Sequence, residues 1–323
     1  MPLHHTALVA DIGGTNTRVA LATGAVIDRS SIQRFANSDY PGIEPILRAY
    51  LADHPADLAG ACIAAAGPVR DGVAEMTNLN WTMSQASIAG ATGAKTVALL
   101  NDLQAPGHAL ALLAPESLRQ IIPGPAASPD KSPMATRLVM NVGTGFNAVP
   151  VHATMRGRIV PASECGHVSL PVHSADDQSL MAFVQTAHGF PSVEDVLSGS
   201  GLERVDHWAA GQDGAERKAA DIMAAIIAGD DPRAAKAAAM FVRMMGVVAG
   251  NLALTHLPFG GIYLTGGVAR HFSPHLVRFG FAQAFRDKGR FAEFMDAFAV
   301  WSIEDDYAAL QGCAAHLADL IHA

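Results

Sequence analysis

The chain has 323 residues, of which 50% are hydrophobic and 16% are charged. This composition excludes an intrinsically disordered chain, and the length predicts two domains rather than one core. The formal net charge is −8 and Lys and Arg do not cluster, which argues against nucleic acid or an anionic membrane as partner. The three cysteines, Cys62, Cys165 and Cys313, are far apart in sequence, which is typical of a reducing, cytoplasmic location without a disulfide framework.

The first predicted element is a hairpin. Residues 8–21 read LVADIGGTNTRVAL: an apolar run ends in Asp11, a glycine turn follows, and a second apolar run completes a strand–turn–strand pattern. The bare N–H groups of such a turn form an anion-binding concavity. A carboxylate in the position of Asp11 can hold a hydrated Mg²⁺ beside phosphates, although a buried acid that caps the turn is an alternative.

The pattern occurs a second time. Residues 138–151 read LVMNVGTGFNAVPV, with Asn141 in the position of Asp11 and Gly143-Thr144-Gly145 in that of Gly13-Gly14-Thr15. Two such turns suit a chain of phosphates, so the repeat predicts a nucleotide-dependent phosphotransferase.

The segment between the hairpins alternates strands and helices. The predicted elements are a strand within 26–35, a helix over 43–53, strands over 59–66 and 97–100, and a helix to about residue 113. This alternation predicts a mainly parallel α/β sheet. Residues 114–136 are rich in Pro, Gly and Ser and are predicted to be a loop-rich connection.

The second half is predicted to be mostly helical. Its elements are helices over 176–187 and 202–256, a strand over 262–264 and a last helix over 307–322. The apolar stretch 237–257 contains Arg243 and Asn251, so we interpret it as a core helix and not as a membrane span.

Asn101-Asp102 closes an apolar strand. Ligands of open α/β sheets bind beyond the carboxyl ends of strands, where Asp102 can accept the proton of a substrate hydroxyl. From the local sequence alone, an N-cap of the following helix is the simpler interpretation.

Two further segments carry polar candidates. Glu164 and His167 flank a glycine and can hydrogen-bond a polyol, whereas one Glu and one His do not complete a zinc site. In residues 190–195, Ser192 and Asp195 have the spacing of a capping box, which predicts a helix start with Glu194 in its first turn.

Taken together, these residues resemble the bacterial glucokinase family of the hexokinase/actin-like superfamily, almost end to end. The stretches that carry the resemblance are ADIGGTNTRVAL (10–21), AAAGPV (64–69), MTNLNW (76–81), LLNDLQA (99–105), NVGTG (141–145), ECGHVSLP (164–171), EDVLSGSGL (194–202) and GNLAL…FGGIYLTGGVARHF (250–272). The resemblance implies a two-domain α/β fold of the actin-like/hexokinase (ribonuclease H-like) type with a cleft between the domains. Residues 1–113 and 303–323 would form the small domain and residues 114–302 the large one.

The resemblance also implies an activity, the ATP-dependent phosphorylation of D-glucose at its 6-hydroxyl in glycolysis. Asp102 would be the catalytic base, and Asn101, Glu164, His167 and Glu194 would bind the sugar with it. The nucleotide-binding positions would be Ala10, Asp11, Ile12, Gly13, Gly14, Thr15, Gly143, Thr144 and Gly145 in the phosphate loops and Gly266 and Gly267 in the adenosine loop. ATP and Mg²⁺ are the implied cofactors, with Asp11 holding the metal through water, and a cytoplasmic homodimer is the implied assembly.

Alternatives remain within this scaffold: a kinase for another hexose such as mannose or an amino sugar, or a non-catalytic sugar- and ATP-binding sensor. The isolated cysteines argue against the zinc-containing sugar-kinase branch, and the missing G-x-x-x-x-G-K-[ST] motif excludes a P-loop kinase. The chain departs from the family pattern at the second loop, which is usually GTGLG and here has Phe146 and Asn147. It also departs at Cys165, where a smaller residue is usual, and near residue 269, where a proline is usual.

Overall fold

A computed structural model of the chain describes residues 5–76, 79–124, 132–155, 157–211 and 214–322. Thr77 and Asn78 of the MTNLNW stretch, and residues 125–131 of the predicted loop, lie outside the described residues.

The strands are β1 (Thr6–Ile12), β2 (Asn16–Thr23), β3 (Val26–Ile27), β4 (Gln33–Ala36), β5 (Gly60–Ala65), β6 (Val69–Arg70), β7 (Val73–Glu75), β8 (Thr82–Ser84), β9 (Thr96–Asn101), β10 (Leu118–Ile122), β11 (Arg137–Val142), β12 (Phe146–Thr154), β13 (Gly157–Ile159), β14 (Ile262–Thr265) and β15 (Val300–Ile303). The α-helices are α1 (Ile43–Asp53), α2 (Gln85–Thr92), α3 (Gln104–Ala109), α4 (Ala175–His188), α5 (Gly199–Ala210), α6 (Ala219–Ala228), α7 (Pro232–His256), α8 (Gly267–Phe272), α9 (Phe281–Arg286) and α10 (Ala308–Ile321).

The chain divides into two compact units. The first contains Met1–Pro115, Val151–Ala162 and Asp305–Ala323, and the second contains Glu116–Pro150 and Ser163–Glu304. The largest difference from the expected bounds is Val151–Ala162, which we had expected in the large domain, while the other boundaries differ by two residues. Arg158 attaches this segment to the first unit, because its guanidinium donates to the His108 carbonyl at 3.1 Å and pairs with Asp319 at 3.4 Å.

The first unit is built on a sheet of order β3-β2-β1-β5-β9, with β4 also paired to β2. β1, β5 and β9 are parallel, whereas β2 runs antiparallel to β1, so the sheet is mixed and only in part the parallel sheet that we predicted. Successive side chains of a strand point to opposite faces. Accordingly, Leu8 packs in the core with α1 and α2, and Val9 packs with Leu310 and Cys313 of α10.

The second unit contains the strand order β10-β15-β14-β11-β12. β11, β14 and β15 are parallel, and β10 is antiparallel to β15. Its core centres on α7, which begins at the N-cap Asp231 with Pro232 in the first turn. Among the described helices, α7 is long and apolar enough to cross a membrane by length and composition, and 72% of its most apolar window is buried inside the protein, as predicted for a core helix.

Several predictions of local structure need correction. The predicted strand within 26–35 is two short strands, β3 and β4, separated by a 3₁₀ turn over Arg29–Ser31, because the Asp28 side chain accepts from Ser30 N at 2.9 Å and turns the chain. The predicted loop over 114–136 contains a strand, β10, because Leu118–Ile122 pairs with β15 in antiparallel fashion.

Two expected caps also differ. The helix after Asp102 ends at Ala109 instead of near residue 113, and its N-cap is Leu103, without a side-chain capping bond. No helix begins at Ser192. The Ser192–Asp195 bonds form as predicted, with Ser192 N donating to Asp195 Oδ2 at 3.0 Å, but they close a turn. The next helix, α5, begins at Gly199 after the N-cap Ser198.

Candidate active site

The first glycine turn is open and charged. Gly13 N donates to Asn16 O at 3.0 Å to close the turn, while Gly14 and Thr15 are exposed. The turn borders a pocket of about 240 Å³, whose other lining side chains are those of Asp11, Arg18 and Arg34. Backbone N–H groups and two guanidinium groups around one small pocket are suited to an anion.

Asp11 is the last residue but one of β1 and borders this pocket. Its register partner on β2 is Arg18, whose Nη1 lies 3.7 Å from Asp11 Oδ2. Burial raises the pKa of Asp11, and the Arg18 charge acts in the opposite direction. The carboxylate is 19% exposed. A single partly accessible carboxylate fits a Mg²⁺ that keeps most of its water ligands. Among the described residues, no three or more His, Cys, Asp or Glu side chains are grouped so that they could hold a metal ion by themselves.

Asn101 ends β9 and Asp102 follows it, at the edge of the sheet where Ile12 ends β1 and Ala65 ends β5. Asp102 N donates to Ala65 O at 3.0 Å. The Asn101 side chain holds the turn, because its Oδ1 accepts from Leu103 N at 2.9 Å and its Nδ2 donates to Gly67 O at 3.0 Å. Asn101 thus braces the turn ahead of α3, whereas the N-cap of the helix is Leu103 and not Asp102.

The second glycine turn is joined to its neighbours. Gly143 N donates to Gly145 O at 2.9 Å, and Gly143 O accepts from Gly199 N at 2.8 Å, which fixes the start of α5 against the turn. A Cβ on Gly143 would lie 3.9 Å from Gly266 Cα. Gly266 is the N-cap of α8, and Gly267 is its first residue. The predicted phosphate loop and adenosine loop are thus adjacent in this unit.

Glu194 contacts the second turn directly. Its Oε2 accepts from Phe146 N at 2.8 Å, and its own backbone N donates to Gly166 O at 2.9 Å. A Cβ on Gly145 would lie only 2.4 Å from Glu194 Oε2, and one on Gly166 only 2.0 Å from Phe146 O. Glycine at these two positions therefore allows the Glu194 carboxylate and the 3₁₀ turn Cys165–His167 to approach the second glycine turn.

Glu164 and His167 frame that 3₁₀ turn, and both are exposed. His167 N donates to Glu164 O at 3.2 Å. Within the described part of the chain, neither side chain makes a hydrogen bond or an ion pair, so both are available to a ligand. Cys165 between them is half-buried, and burial raises the pKa of its thiol, with the Glu164 charge acting in the same direction.

Comparison with known proteins identifies the family. The sequence model of the Glucokinase family matches residues 8–320. A glucokinase of Erwinia tasmaniensis is 34% identical over 322 residues, which cover 96% of each chain. The chain belongs to the glucokinase family.

Solved structures agree with the family fold. The crystal structure of a glucokinase from an Antarctic psychrotroph has a TM-score of 0.85 at 29% identity and covers 97% of this chain and 98% of that chain. A ROK family glucokinase from Streptomyces griseus, in complex with glucose and AMPPNP, has a TM-score of 0.64 at 20% identity, covering 96% and 98% of the two chains. The expected actin-like fold of the glucokinase family is therefore confirmed.

The sequence patterns did not indicate two amide side chains that bridge separate segments. Gln104 Oε1 accepts from Asn101 N at 3.0 Å, and its Nε2 donates to Val160 O at 2.6 Å, which links the strand end to the segment that returns through residue 160. Asn147, noted only as a departure from the family pattern, makes a similar bridge in the second unit. A polar side chain in the otherwise buried start of α3 is the signal that could have found Gln104.

Proposed function

We propose that this chain transfers the γ-phosphoryl group of ATP to the 6-hydroxyl of D-glucose and releases glucose 6-phosphate and ADP. The observation that carries the proposal is the full-length glucokinase match together with Asp102 at the carboxyl end of β9. The complex of the Streptomyces griseus relative with glucose and AMPPNP supports ATP as the donor and glucose as the acceptor.

Asp102 is the proposed base. The primary hydroxyl of glucose is a weak nucleophile, and it loses its proton to this carboxylate as its oxygen bonds to phosphorus. Asn101 contributes to sugar binding beside Asp102, and its remaining amide hydrogen is free for a hydroxyl once Gly67 O and Leu103 N are satisfied.

Glu164, His167 and Glu194 are the proposed ligands of the other hydroxyls. Glu194 Oε2 is already held by Phe146 N, so its position is set before a sugar binds. Prepositioned acceptors reduce the entropy lost on binding and favour one orientation of the reacting hydroxyl.

The phosphates are the proposed ligands of Ala10–Thr15 and Gly143–Gly145, with the adenosine against Gly266 and Gly267. A Mg²⁺ ion would neutralise phosphate charge, and Asp11 would hold it through water. Asp11→Asn is then expected to raise the Mg²⁺ concentration that gives half-maximal rate, and an unchanged Mg²⁺ dependence would contradict this role.

A coupled assay of ADP formation with a panel of hexoses tests the function. We expect turnover with glucose that exceeds turnover with mannose and glucosamine, and little ATP hydrolysis without sugar.

Asp102→Asn is expected to keep the fold and to lose about 10²-fold or more in kcat. Asp53→Asn, on an exposed position of the first unit, is the matched control. Equal ATP consumption with and without hexose would contradict the kinase function, and near-normal kcat in Asp102→Asn would remove Asp102 from the mechanism.

We further propose a cytoplasmic homodimer, as the family resemblance implies. Light scattering of the purified chain is expected to give the mass of two copies, and the mass of one copy over the assay's concentration range would contradict it.

A further inference from the structure

Asn147 stands where the family pattern has glycine, directly after the second phosphate loop. Its Nδ2 donates to Ser163 O, and its Oδ1 accepts from Cys165 N at 3.3 Å and from Ala148 N at 2.8 Å. One side-chain amide therefore binds the backbone on both sides of Glu164. These contacts join residues that are 16 and 18 positions apart in sequence.

The second departure from the pattern packs against the first. Cys165 Sγ lies 3.5 Å from Asn147 Oδ1 and 3.7 Å from Ala148 O. Because burial raises the pKa of this thiol, it is protonated and can donate its one hydrogen to either oxygen. The two residues that depart from the family pattern, Asn147 and Cys165, are thus in direct contact with each other.

Glu164 depends on this backbone for its location. Its side chain is exposed and makes no hydrogen bond or ion pair with the residues that the structure describes. Glu194, the other carboxylate beside the loop, is held through its own oxygen by Phe146 N. Glu164 lacks an equivalent contact, so the backbone of residues 163–165 sets where its carboxylate lies. Asn147 holds this backbone together with the Ser163 hydroxyl, which accepts from Cys165 N at 3.2 Å.

We propose that Asn147 is a positioning residue for the sugar: its amide fixes the backbone on both sides of Glu164 and so places the Glu164 carboxylate for glucose. The proposal rests on the proposed role of Glu164 as a sugar ligand. It also explains why an amide stands at residue 147. A side chain there must both donate and accept, and Asn does both at once.

Two substitutions of Asn147 test its donor role and the whole bridge separately. Asn147→Asp keeps the acceptor but replaces the donor to Ser163 O with a charged oxygen, and Asn147→Gly restores the usual family residue and removes the bridge. Asn251→Asp, the same change at an exposed position of α7, is the matched control. Circular dichroism and thermal melting establish that each variant folds, and Asn147→Gly decides the question if Asn147→Asp does not fold.

We expect both Asn147 variants to raise the KM for glucose by about five- to tenfold, the effect of losing one or two hydrogen bonds. The KM for ATP should stay within about twofold, because the bonds of the Gly143–Gly145 turn do not involve Asn147. The Kd for glucose without nucleotide, measured by calorimetry, should rise in parallel. Asn251→Asp should leave all three unchanged.

A double-mutant cycle gives the decisive measurement. In a Glu164→Gln background, Asn147→Gly should add less than about twofold to the KM for glucose, because the carboxylate that Asn147 places is already gone. An equal increase in both backgrounds would overturn the proposal, as would an unchanged KM in both folded Asn147 variants. If Glu164→Gln alone leaves the KM for glucose unchanged, the assigned role of Glu164 is wrong. If the unsubstituted chain does not phosphorylate glucose, the proposed function itself is wrong.

Discussion

The two glycine hairpins have similar sequences but different surroundings. In the first, Gly14 is exposed, and a Cβ on it would meet no atom within 4 Å. In the second, a Cβ on Gly145 would lie 2.4 Å from Glu194 Oε2. The first turn is bordered by Asp11 and two arginines, whereas the second has the neutral Asn141 in the place of Asp11.

The difference shows that one motif can be glycine-rich for two reasons. Nothing in the fold fills the space beside Gly14, so we expect this space to admit a ligand that approaches the backbone. At Gly145 the fold itself fills the space, and the residue that fills it is a proposed sugar ligand. The first turn is thus open to a ligand, and the second is also a junction that holds the segments proposed to bind the sugar.

Of the substitutions in the two hairpins, Gly145→Ala is expected to have the largest effect. The new methyl group must displace the Glu194 carboxylate and break its bond with Phe146 N. Because a carboxylate at the end of a flexible side chain can move, the loss of folding free energy should be modest, about 1–2 kcal/mol. The KM for glucose should rise by about 30-fold or more, since a hydroxyl ligand is misplaced. Steady-state kinetics and thermal melting measure the two effects, and a normal KM for glucose would show that Glu194 does not bind the sugar.

Gly14→Ala is expected to have the complementary effect. The backbone at Gly14 lies outside the left-handed region and there is space for a methyl group, so the melting temperature should stay the same. The KM for ATP should rise by about tenfold, because the methyl group occupies the space through which a phosphate reaches the turn. The Kd for glucose should be unaffected. A normal KM for ATP in Gly14→Ala would mean that this turn does not contact the nucleotide.

Part of the order of strands and helices could be predicted from the sequence, because the longer elements follow local patterns, whereas short strands such as β6–β8 and β10 were missed. The apolar runs of both hairpins, the helical spacing of α1 and the apolar positions of α10 gave elements within a few residues of those observed. The motifs of both hairpins also indicated the family and its fold, which the comparisons confirm.

The pairing of polar groups was less predictable. The Ser192–Asp195 box formed its hydrogen bonds without a helix, because the same two bonds can close a turn. The bridge from Asn147 to residues 163 and 165 depends on how distant segments pack, and nothing local to Asn147 indicates its partners. Val151–Ala162 was predicted in the large domain for the same reason. The contacts of Arg158 with His108 and Asp319, which hold this segment in the first unit, form between residues that are far apart in sequence.

The two units should also differ in their response to acid. In the first, burial lowers the pKa of His108 to about 3, and the nearby His316 and Arg158 charges act in the same direction. In the unfolded chain, His108 takes up a proton below about pH 6.5, whereas the folded state does not until about pH 3. This contribution to stability is therefore complete above pH 6.5 and decreases by about 1.4 kcal/mol for each pH unit below it. In the second unit, the hydrogen bond with Arg217 lowers the pKa of Asp231, so its contribution is lost only below about pH 4.

Hydrogen exchange measured by mass spectrometry at pH 7.5 and pH 5.5 tests this difference. After correction for intrinsic rates, α3 and α10 should lose protection at the lower pH while α7 keeps it. His108→Phe should abolish the change in α3 and α10, and His173→Phe, at an exposed position of the second unit, should not. Equal loss of protection in α3, α10 and α7 would contradict a separate acid response of the first unit.

The smallest expected effect concerns Cys165 and tests whether the second hairpin's junction reaches the sugar. Cys62 and Cys313 are buried, whereas Cys165 is half-buried beside Glu164. A maleimide should therefore modify Cys165 before the other two, but slowly, because burial raises the pKa of its thiol and little thiolate is present. Saturating glucose should slow the modification by about fivefold, since a bound sugar shields the 163–167 segment. Mass spectrometry locates the label, and the native Cys62 and Cys313 serve as internal controls for unfolding.

If Cys165 reacts at the same rate with and without glucose, this segment does not line the sugar site. Glu164 and His167 would then lose their assigned roles, and the junction formed by the second hairpin would serve only the fold and the nucleotide.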